Sequence, residues 1–307
     1  MNAHEKLLAQ KMFQLEVYKR KGTAFQDFFV SIMTKFDHDF TPVKPHGSQG
    51  DRKNDGFIPS KGIYYQVYAP EDPEYKITTA IKKCKDDFSG LLDFWNNKTP
   101  IKEFNFVFNE EYRGAYPEVL SVIDEIQKVN TSIKIGLFIC KDLENVFWSI
   151  SDSDRIAITN YIPEPEKIEM IDYEALTSVV NFLLENQTPL DVNKGLSVPD
   201  FGEKIKFNNL SSVVSSLLIS SSQQVSILDD YFSANSDFSR EHLQKKFISI
   251  YNESLESIKN DAPNKSDLVF FNILENSSPQ KSKQVQDAVL VLMSYFFETC
   301  DIFEEPK

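Results

Sequence analysis

The order of strand and helix patterns in the first half of the chain most constrains its fold. Three short strand patterns lie close together between residues 41 and 68, and helix and strand patterns then alternate up to about residue 158. Strands joined by a tight turn form a hairpin, whereas strands separated by a helix form parallel pairs. The sequence therefore predicts an α/β sandwich on a mixed sheet, in the order β-β-β-α-β-α-β.

The helices of this half are indicated by apolar residues at spacings of three or four. One such stripe precedes Gly22, and a second helix follows Thr23, which can cap it. Further helices are predicted at 75–95 and from Pro117, and strands at 102–108 and 132–140. One or two short helices are predicted at 142–158.

Two prolines between acids, Pro163 and Pro165, predict an exposed linker. After them the strand patterns almost disappear, and helical periodicity covers 172–184, 210–232, 241–258 and 283–300. We therefore expect two domains. Residues 1–162 would form the α/β domain, and residues 168–307 an all-α domain.

The composition excludes several classes of protein. The 307 residues are 41% hydrophobic, which is enough for packed cores and argues against disorder. The net charge of −13 argues against a broad nucleic-acid-binding face. Residues 41–62 nevertheless hold four basic residues and two acids, which suits a confined, locally basic site. The basic residues are Lys44, Arg52, Lys53 and Lys61, and the acids are Asp51 and Asp55.

The cysteines and the chain start predict a reduced, cytoplasmic protein. The three cysteines form no CxxC pair, and the histidines show no zinc-ligand spacing. The first eleven residues lack the apolar core of a signal peptide, and no apolar run is long enough to cross a membrane. There is no GxxxxGK[ST] and no GxSxG sequence, so a P-loop ATPase or a serine hydrolase is not expected.

The hairpin between residues 55 and 68 carries the chemistry. Asp55 lies near the start of one arm and Gln66 in the middle of the other, and two arms of a hairpin share faces. A carboxylate and an amide oxygen are hard ligands of the kind that hold Mg²⁺. Arg52, Lys53 and Lys61 are close by in sequence, which suits a substrate that carries phosphate.

This hairpin, with Asp55 followed by Gln66-Val67-Tyr68, resembles the PD-(D/E)xK nuclease superfamily and its Mrr-like branch. Asp55 matches the first acid and Gln66 the glutamine variant of the second position. Tyr68 replaces the lysine of the pattern, and it carries no positive charge at pH 7. The resemblance implies a restriction-endonuclease-like fold and a Mg²⁺ (or Mn²⁺) site.

The resemblance also implies roles for the neighbouring residues. Asp55, Gln66 and the backbone carbonyl of Val67 would hold the metal, and Asp27, on the preceding helix, is a candidate further acid. Lys53, Lys61 or Lys83 would stand in for the missing lysine, and Tyr68 would hydrogen-bond water or phosphate. Asp51 is left open between a second ligand and a structural role at the turn. Lys44, Arg52, Lys53 and Lys61 would contact nucleic acid.

The C-terminal segment 291–306 is so aromatic that it must be buried, either in its own domain or against a partner. Its residues 296–304 resemble the C-terminal domains of bacterial ABC-three-component (ABC-3C) defence systems. This resemblance implies partners, namely an ABC-type ATPase and a small middle component.

Two hypotheses of function follow. The first is a metal-dependent nuclease effector of a defence system against phage, which hydrolyses DNA under the control of partner proteins, with a homodimer possible. The second is a catalytically inactive binding or assembly component of the same kind of system. Tyr68 and the acidic net charge favour the second.

Overall fold

The protein is described here as a computed structural model. The structure describes residues 1–44, 52–74, 76–159, 168, 170–185, 200–234, 237–299 and 301–306. Contacts divide the chain into two compact units. The sheet unit is Glu16–Ile158, and the helical unit is Thr159–Lys307 together with Met1–Leu15.

The sheet unit is built on five strands in the spatial order β1-β2-β3-β4-β5. They are β1 (Thr41–Pro42), β2 (Gly56–Ile58), β3 (Ile63–Tyr68), β4 (Glu103–Phe108) and β5 (Lys134–Phe138). The first three pair antiparallel, whereas β3, β4 and β5 pair parallel. The expected mixed sheet and the expected element order are confirmed.

Helices cover both faces of this sheet. The crossover helices α3 (Ile77–Trp95) and α4 (Pro117–Val129) pack on one face, around a core that includes Tyr64, Phe104 and Phe106. On the other face, Phe29 of α2 (Gly22–Phe36) contacts Tyr65 and Phe138, with ring centroids 5.5 and 5.8 Å away. Successive residues of a strand point to opposite faces. Tyr64 and Tyr65 therefore serve the two different cores.

The other helices of the first half are α1 (Ala3–Lys19), α5 (Cys140–Ser149) and α6 (Asp152–Thr159). α1 contributes residues to both units, since the division lies between Leu15 and Glu16. Asn109, after β4, donates from Nδ2 to the carbonyl oxygens of Val17 and Arg20, both at 3.1 Å. These bonds satisfy carbonyl groups at the end of α1 that have no partner within the helix.

The helical unit contains α7 to α13 among the described residues. They are α7 (Tyr173–Glu185), α8 (Phe201–Phe207), α9 (Ser212–Ser222), α10 (Ser226–Ala234), α11 (Asp237–Ser257), α12 (Lys265–Asn276) and α13 (Lys283–Glu298). In α13 every residue from Val285 to Phe297 is buried, so it forms the centre of this unit. A helix that is buried on all sides is apolar all round rather than amphipathic.

Buried charges hold two distant segments in the helical unit. The Lys11 ammonium lies 3.6 Å from the Asp267 carboxylate, and both side chains are buried. Lys204 is 1% exposed and donates to the carbonyl oxygens of Phe297 (2.6 Å) and Ile302 (2.8 Å). The positive charge therefore lies at the C-terminal end of α13, where the helix dipole is negative.

The C-terminal aromatic residues are buried in their own unit, the first of the two alternatives left open by the sequence. Ile302 and Phe303 are buried, and the Phe303 ring packs against Tyr251 and Phe297, with centroids 5.3 and 5.7 Å apart. These rings are part of the core of the helical unit.

The helices of the second half differ from the predicted pattern in three places. The single helix expected at 210–232 is two helices, α9 and α10. Helices α8 and α12 were not predicted.

No helix among the described residues is long and apolar enough to cross a membrane. The domain limits 1–162 and 168–307 stay a prediction, although the contacts assign Met1–Leu15 to the helical unit.

Candidate functional site

Asp55 lies at the end of the hairpin, one residue before β2. Its backbone N–H donates to the Tyr65 carbonyl (3.0 Å), and its side chain is buried, with the residue 2% exposed. One carboxylate oxygen accepts from the backbone N–H of Val67 (2.6 Å), and the other from the Gln26 amide (2.5 Å). The carboxylate therefore links β2, β3 and α2.

Gln66 lies on β3 directly before Val67, whose N–H binds this carboxylate. The regular pairing of the two strands ends at Gly56 opposite Tyr65, and Asp55 lies just beyond it. Successive residues of a strand point to opposite faces, so Gln66 has the phase of Tyr64 and Tyr68 on β3. Gln66 is 3% exposed, and its Oε1 has no hydrogen-bond partner among the residues that the structure describes.

An unpaired buried oxygen is costly and rare in native proteins. A bound cation or a water molecule satisfies such an oxygen. The convergence of Asp55 and Gln66 stays a prediction, and the unpaired amide oxygen of Gln66 is an observation that sequence alone did not provide.

Helix α2 contributes Gln26 to this site rather than the expected Asp27. Gln26 contacts Asp55, whereas the next residue, Asp27, is exposed. The buried positions of α2 are Phe25, Phe28, Phe29, Ile32 and Met33. This spacing already places residue 27 on the outer side of the helix. The phase of the apolar stripe was the signal that could have identified Gln26.

Tyr68 lies at the carboxyl end of β3, and its ring is stacked beside Phe106 and Phe108, with centroids 6.1 and 5.8 Å away. Burial raises the pKa of its hydroxyl above the ordinary value of 10. Tyr68 is therefore neutral at pH 7 and can act only as a hydrogen-bond donor or acceptor.

Positive charge near the hairpin is organised by Asp87 of α3. This carboxylate is 1% exposed and binds two ammonium groups, Lys53 at 2.9 Å and Lys83 at 2.5 Å. The Lys53 side chain crosses α3 at Gly90, where an added Cβ would lie 2.9 Å from Lys53 Cγ. Of the three lysines considered as substitutes for the motif lysine, two thus meet at one buried acid.

The backbone before Asp55 is strained. Arg52 and Lys53 have φ values of 56° and 63°. Residues other than glycine in this left-handed region cost on the order of 1–2 kcal/mol each. The Trp95 indole donates to the Arg52 carbonyl (3.2 Å), and the Arg52 guanidinium lies 4.7 Å from the centre of the Phe94 ring. Contacts with α3 therefore stabilise this conformation.

The remaining predicted residues are dispersed. Lys61, in the turn between β2 and β3, binds Asp37 at 2.6 Å. Lys44 is exposed near the end of the first described stretch. Val67 contributes its backbone N–H to Asp55, and it is buried. Asp51 lies outside the described residues.

The capacity of this site for a metal rests on a small set of oxygens. Among the described residues, no group of three or more His, Cys, Asp or Glu side chains is placed to hold a metal ion. Asp55 and Gln66 offer one carboxylate and one amide oxygen, and a half-turn of the Gln26 amide offers another. Mg²⁺ in phosphoryl-transfer sites is bound by one or two carboxylates together with water and substrate phosphate. The residues present fit that mode of binding.

A second polar cluster follows β4, and sequence analysis did not identify it. Asn109, Glu110 and Glu111 are all buried. The Glu110 carboxylate accepts from the backbone N–H of Cys140 (2.9 Å), and Glu111 forms an ion pair with Lys21. Burial raises the pKa of Glu110. The cluster joins the carboxyl end of β4 to the first turn of α5 and to the residues that follow α1.

Comparison with known protein families gives a match in the second half of the chain. Residues 174–304 match the family model of C-terminal domain 10 of the ABC-three component (ABC-3C) systems. No curated protein and no solved structure matches the chain. The matched residues extend from α7 to the segment that packs after α13. The expected C-terminal domain of the ABC-3C kind is thereby supported.

Proposed function

We propose that this protein is the effector of an ABC-3C defence system, and that its sheet unit hydrolyses phosphodiester bonds of DNA with a divalent metal ion. One observation carries the catalytic part. Asp55 and Gln66 are both buried on the two arms of one hairpin, and the amide oxygen of Gln66 has no partner among the described residues.

The residues would have separate roles in metal binding and hydrolysis. Asp55, Gln66 and a rotated Gln26 amide would hold Mg²⁺ or Mn²⁺. The bound metal would lower the pKa of a water molecule and stabilise charge on the phosphorus centre. Asp55 is already fixed by the Val67 N–H, so little reorganisation is needed for binding. Lys53 and Lys83 would supply the positive charge that neutral Tyr68 does not.

The helical unit would couple the sheet unit to partner proteins. The ABC-3C match, residues 174–304, lies within this unit, and such systems have several components. The resemblance in sequence names an ABC-type ATPase and a small middle component as the partners. An unregulated nuclease harms its own cell, so we expect low activity of the isolated chain and higher activity with partners.

Plasmid cleavage by the full chain tests the proposal. The reactions would contain Mg²⁺ or Mn²⁺, with and without proteins encoded beside this one. Asp55→Asn and Gln66→Leu should abolish cleavage, whereas Asp27→Asn removes a nearby exposed acid and should leave it unchanged. Equal loss in all three variants would contradict the assigned ligands.

A binding measurement separates metal binding from activity. Gln66→Glu adds a second carboxylate, so the folded variant should be destabilised without metal and stabilised by Mg²⁺ more than the wild type. The rise in Tm with Mg²⁺ concentration measures this effect, since a ligand that binds only the folded state stabilises it by mass action. No difference between Gln66→Glu and wild type would count against a metal at this position.

A second candidate is a non-catalytic protein that binds partners or nucleic acid. Both oxygens of Asp55 already accept hydrogen bonds, and Tyr68 is uncharged. A purely structural Asp55 has the same contacts. Intact DNA in every cleavage reaction, together with retained binding of partner proteins, would favour this candidate.

A further inference from the structure

Four positive charges lie along one side of α3. We call Arg52, Lys53, Lys83 and Lys98 the α3 strip. Lys83, Asp87, Gly90 and Phe94 follow one another at spacings of four, three and four residues, which places them on one face of the helix. The stretch from Lys83 to Phe94 spans about 16 Å at 1.5 Å per residue.

The four cations of the strip differ in their partners. The strip has one buried acid, Asp87, which binds both Lys53 and Lys83. The Arg52 guanidinium and the Lys98 ammonium both approach the Phe94 ring, at 4.7 and 3.5 Å from its centre. The structure gives neither of these two an ion pair among its described residues. The Arg52 Nε–H is buried and has no hydrogen-bond partner there.

Like charges at this spacing repel one another, and a bound anion removes that repulsion. Specific contacts also hold cations of the strip in position. Strained backbone at Arg52 and Lys53, the close approach of Lys53 at Gly90 and the Trp95 hydrogen bond to Arg52 bring these two cations onto α3. The whole chain carries a net charge of −13, so the strip is a local exception to its charge.

We propose that the α3 strip binds the phosphate backbone of duplex DNA and leads the strand to Asp55. This inference rests on the proposed function for the identity of the ligand. Lys53 lies two residues from Asp55 and belongs to both the strip and the hairpin. Phe94 is in contact with Arg52 and Lys98, so its ring is not available for stacking on an unpaired base. The strip therefore contacts phosphates and not bases.

Asp87 acts in this scheme as a positioning residue. Its buried carboxylate fixes the heads of Lys53 and Lys83, whose residual exposure of 47% and 30% leaves them accessible to phosphate. Two explanations of the strip therefore predict opposite effects of a substitution at Asp87 on the affinity for DNA. General electrostatics predicts tighter DNA binding by Asp87→Asn, because a negative charge is removed. Positioning predicts weaker binding.

The experiment is a fluorescence anisotropy titration of a labelled duplex of about 20 base pairs, in EDTA, over a range of salt concentrations. Lys83→Gln and Lys98→Gln should each lower the slope of log K against log salt by about one. At 0.1 M salt such a change corresponds to roughly tenfold weaker binding. Lys82→Gln, the adjacent lysine of α3, and Lys85→Gln, which pairs with Glu125, are matched controls and should bind as wild type does.

Two variants that keep all four basic residues of the strip complete the test. Gly90→Ala displaces the Lys53 side chain and should weaken binding several-fold, with no change in net charge. Asp87→Asn should also weaken it, and melting curves establish that both variants are folded. Tighter binding by folded Asp87→Asn, or equal losses in Lys82→Gln and Lys83→Gln, would overturn the α3 strip. Lys83-dependent binding to anionic vesicles without binding to the duplex would do so as well.

The two proposals can fail separately. DNA binding in EDTA that is unaffected by Lys83→Gln, together with cleavage that needs Asp55, would refute the strip and keep the nuclease. Binding that depends on the strip, with DNA left intact under all conditions, would keep the strip and refute the nuclease.

Discussion

Lys204 is the position at which the stability of the helical unit can be tested most directly. Its ammonium is buried and donates to two backbone carbonyl groups, those of Phe297 and Ile302. It also lies 4.5 Å from the centre of the Phe297 ring. Substitution by methionine keeps most of the length of the side chain and removes the charge. The two carbonyl oxygens then lose this donor.

The size of the effect follows from these contacts. A hydrogen bond to a charged group contributes about 1.5–3 kcal/mol, so two of them contribute about 3–6 kcal/mol. The variant recovers part of this, because it no longer buries an ammonium group. We expect Lys204→Met to lower the free energy of unfolding by about 2–4 kcal/mol. For a unit of this size, such a loss lowers Tm by about 5–12 °C.

Differential scanning calorimetry on the full chain measures this change. Lys206→Met, on the exposed side of the same helix, removes an equal charge and serves as the control, with an expected change within about 0.5 kcal/mol. If Lys204→Met melts together with Lys206→Met, the buried ammonium does not hold the C-terminal segment, and the reasoning is refuted.

Three further perturbations address the sheet unit. Asp55→Ala leaves the buried Val67 N–H without its acceptor and should lower the free energy of unfolding in urea by about 1–3 kcal/mol. The control Asp27→Ala, at an exposed position, should lower it by about 0.5 kcal/mol or less. Equal losses in the two variants would contradict a buried hydrogen bond between Asp55 and Val67. Gly56→Ala should lower stability by about 1–3 kcal/mol in the same assay, because the added Cβ would lie 2.2 Å from the Phe40 ring. Burial raises the pKa of the Glu110 carboxyl above 4.5, so the folded state binds this proton more tightly than the unfolded chain does. The stability that this proton contributes to the folded state is lost as the pH rises from 4.5 through the raised pKa. Glu110→Gln should therefore gain stability relative to wild type over that interval in unfolding curves at several pH values, and a constant difference would show that Glu110 does not titrate there.

The parts of the fold that sequence analysis predicted depend on local signals. Turn residues and alternating apolar residues specify β2 and β3, and amphipathic periodicity specifies α3 and α4. Helix α12 was missed, and eight consecutive residues of it, Asp267 to Leu274, are buried. A buried run of this length is typical of a central strand as much as of a helix, whereas the longer run of α13 exceeds the length of a strand.

The candidate site was predictable only where pairing is local. Asp55 and Gln66 belong to one hairpin, and the hairpin is visible in the sequence. Asp87 was not singled out, because its partner Lys53 comes from a segment 34 positions earlier in the sequence and the meeting depends on how α3 packs on the sheet. Choosing Asp27 over Gln26 followed residue type rather than helical phase, although the phase was available.

The division of the chain into units has a consequence for its synthesis on the ribosome. The sheet unit uses only residues 16–158, so all of its strands emerge before most of the helical unit is made. The helical unit combines Met1–Leu15 with the segment that ends near Phe303, so it cannot close until that late segment has left the ribosome. Domains tend to fold in the order in which they are synthesised. Each new molecule therefore passes through an interval in which the proposed effector unit is complete and its coupling unit is not.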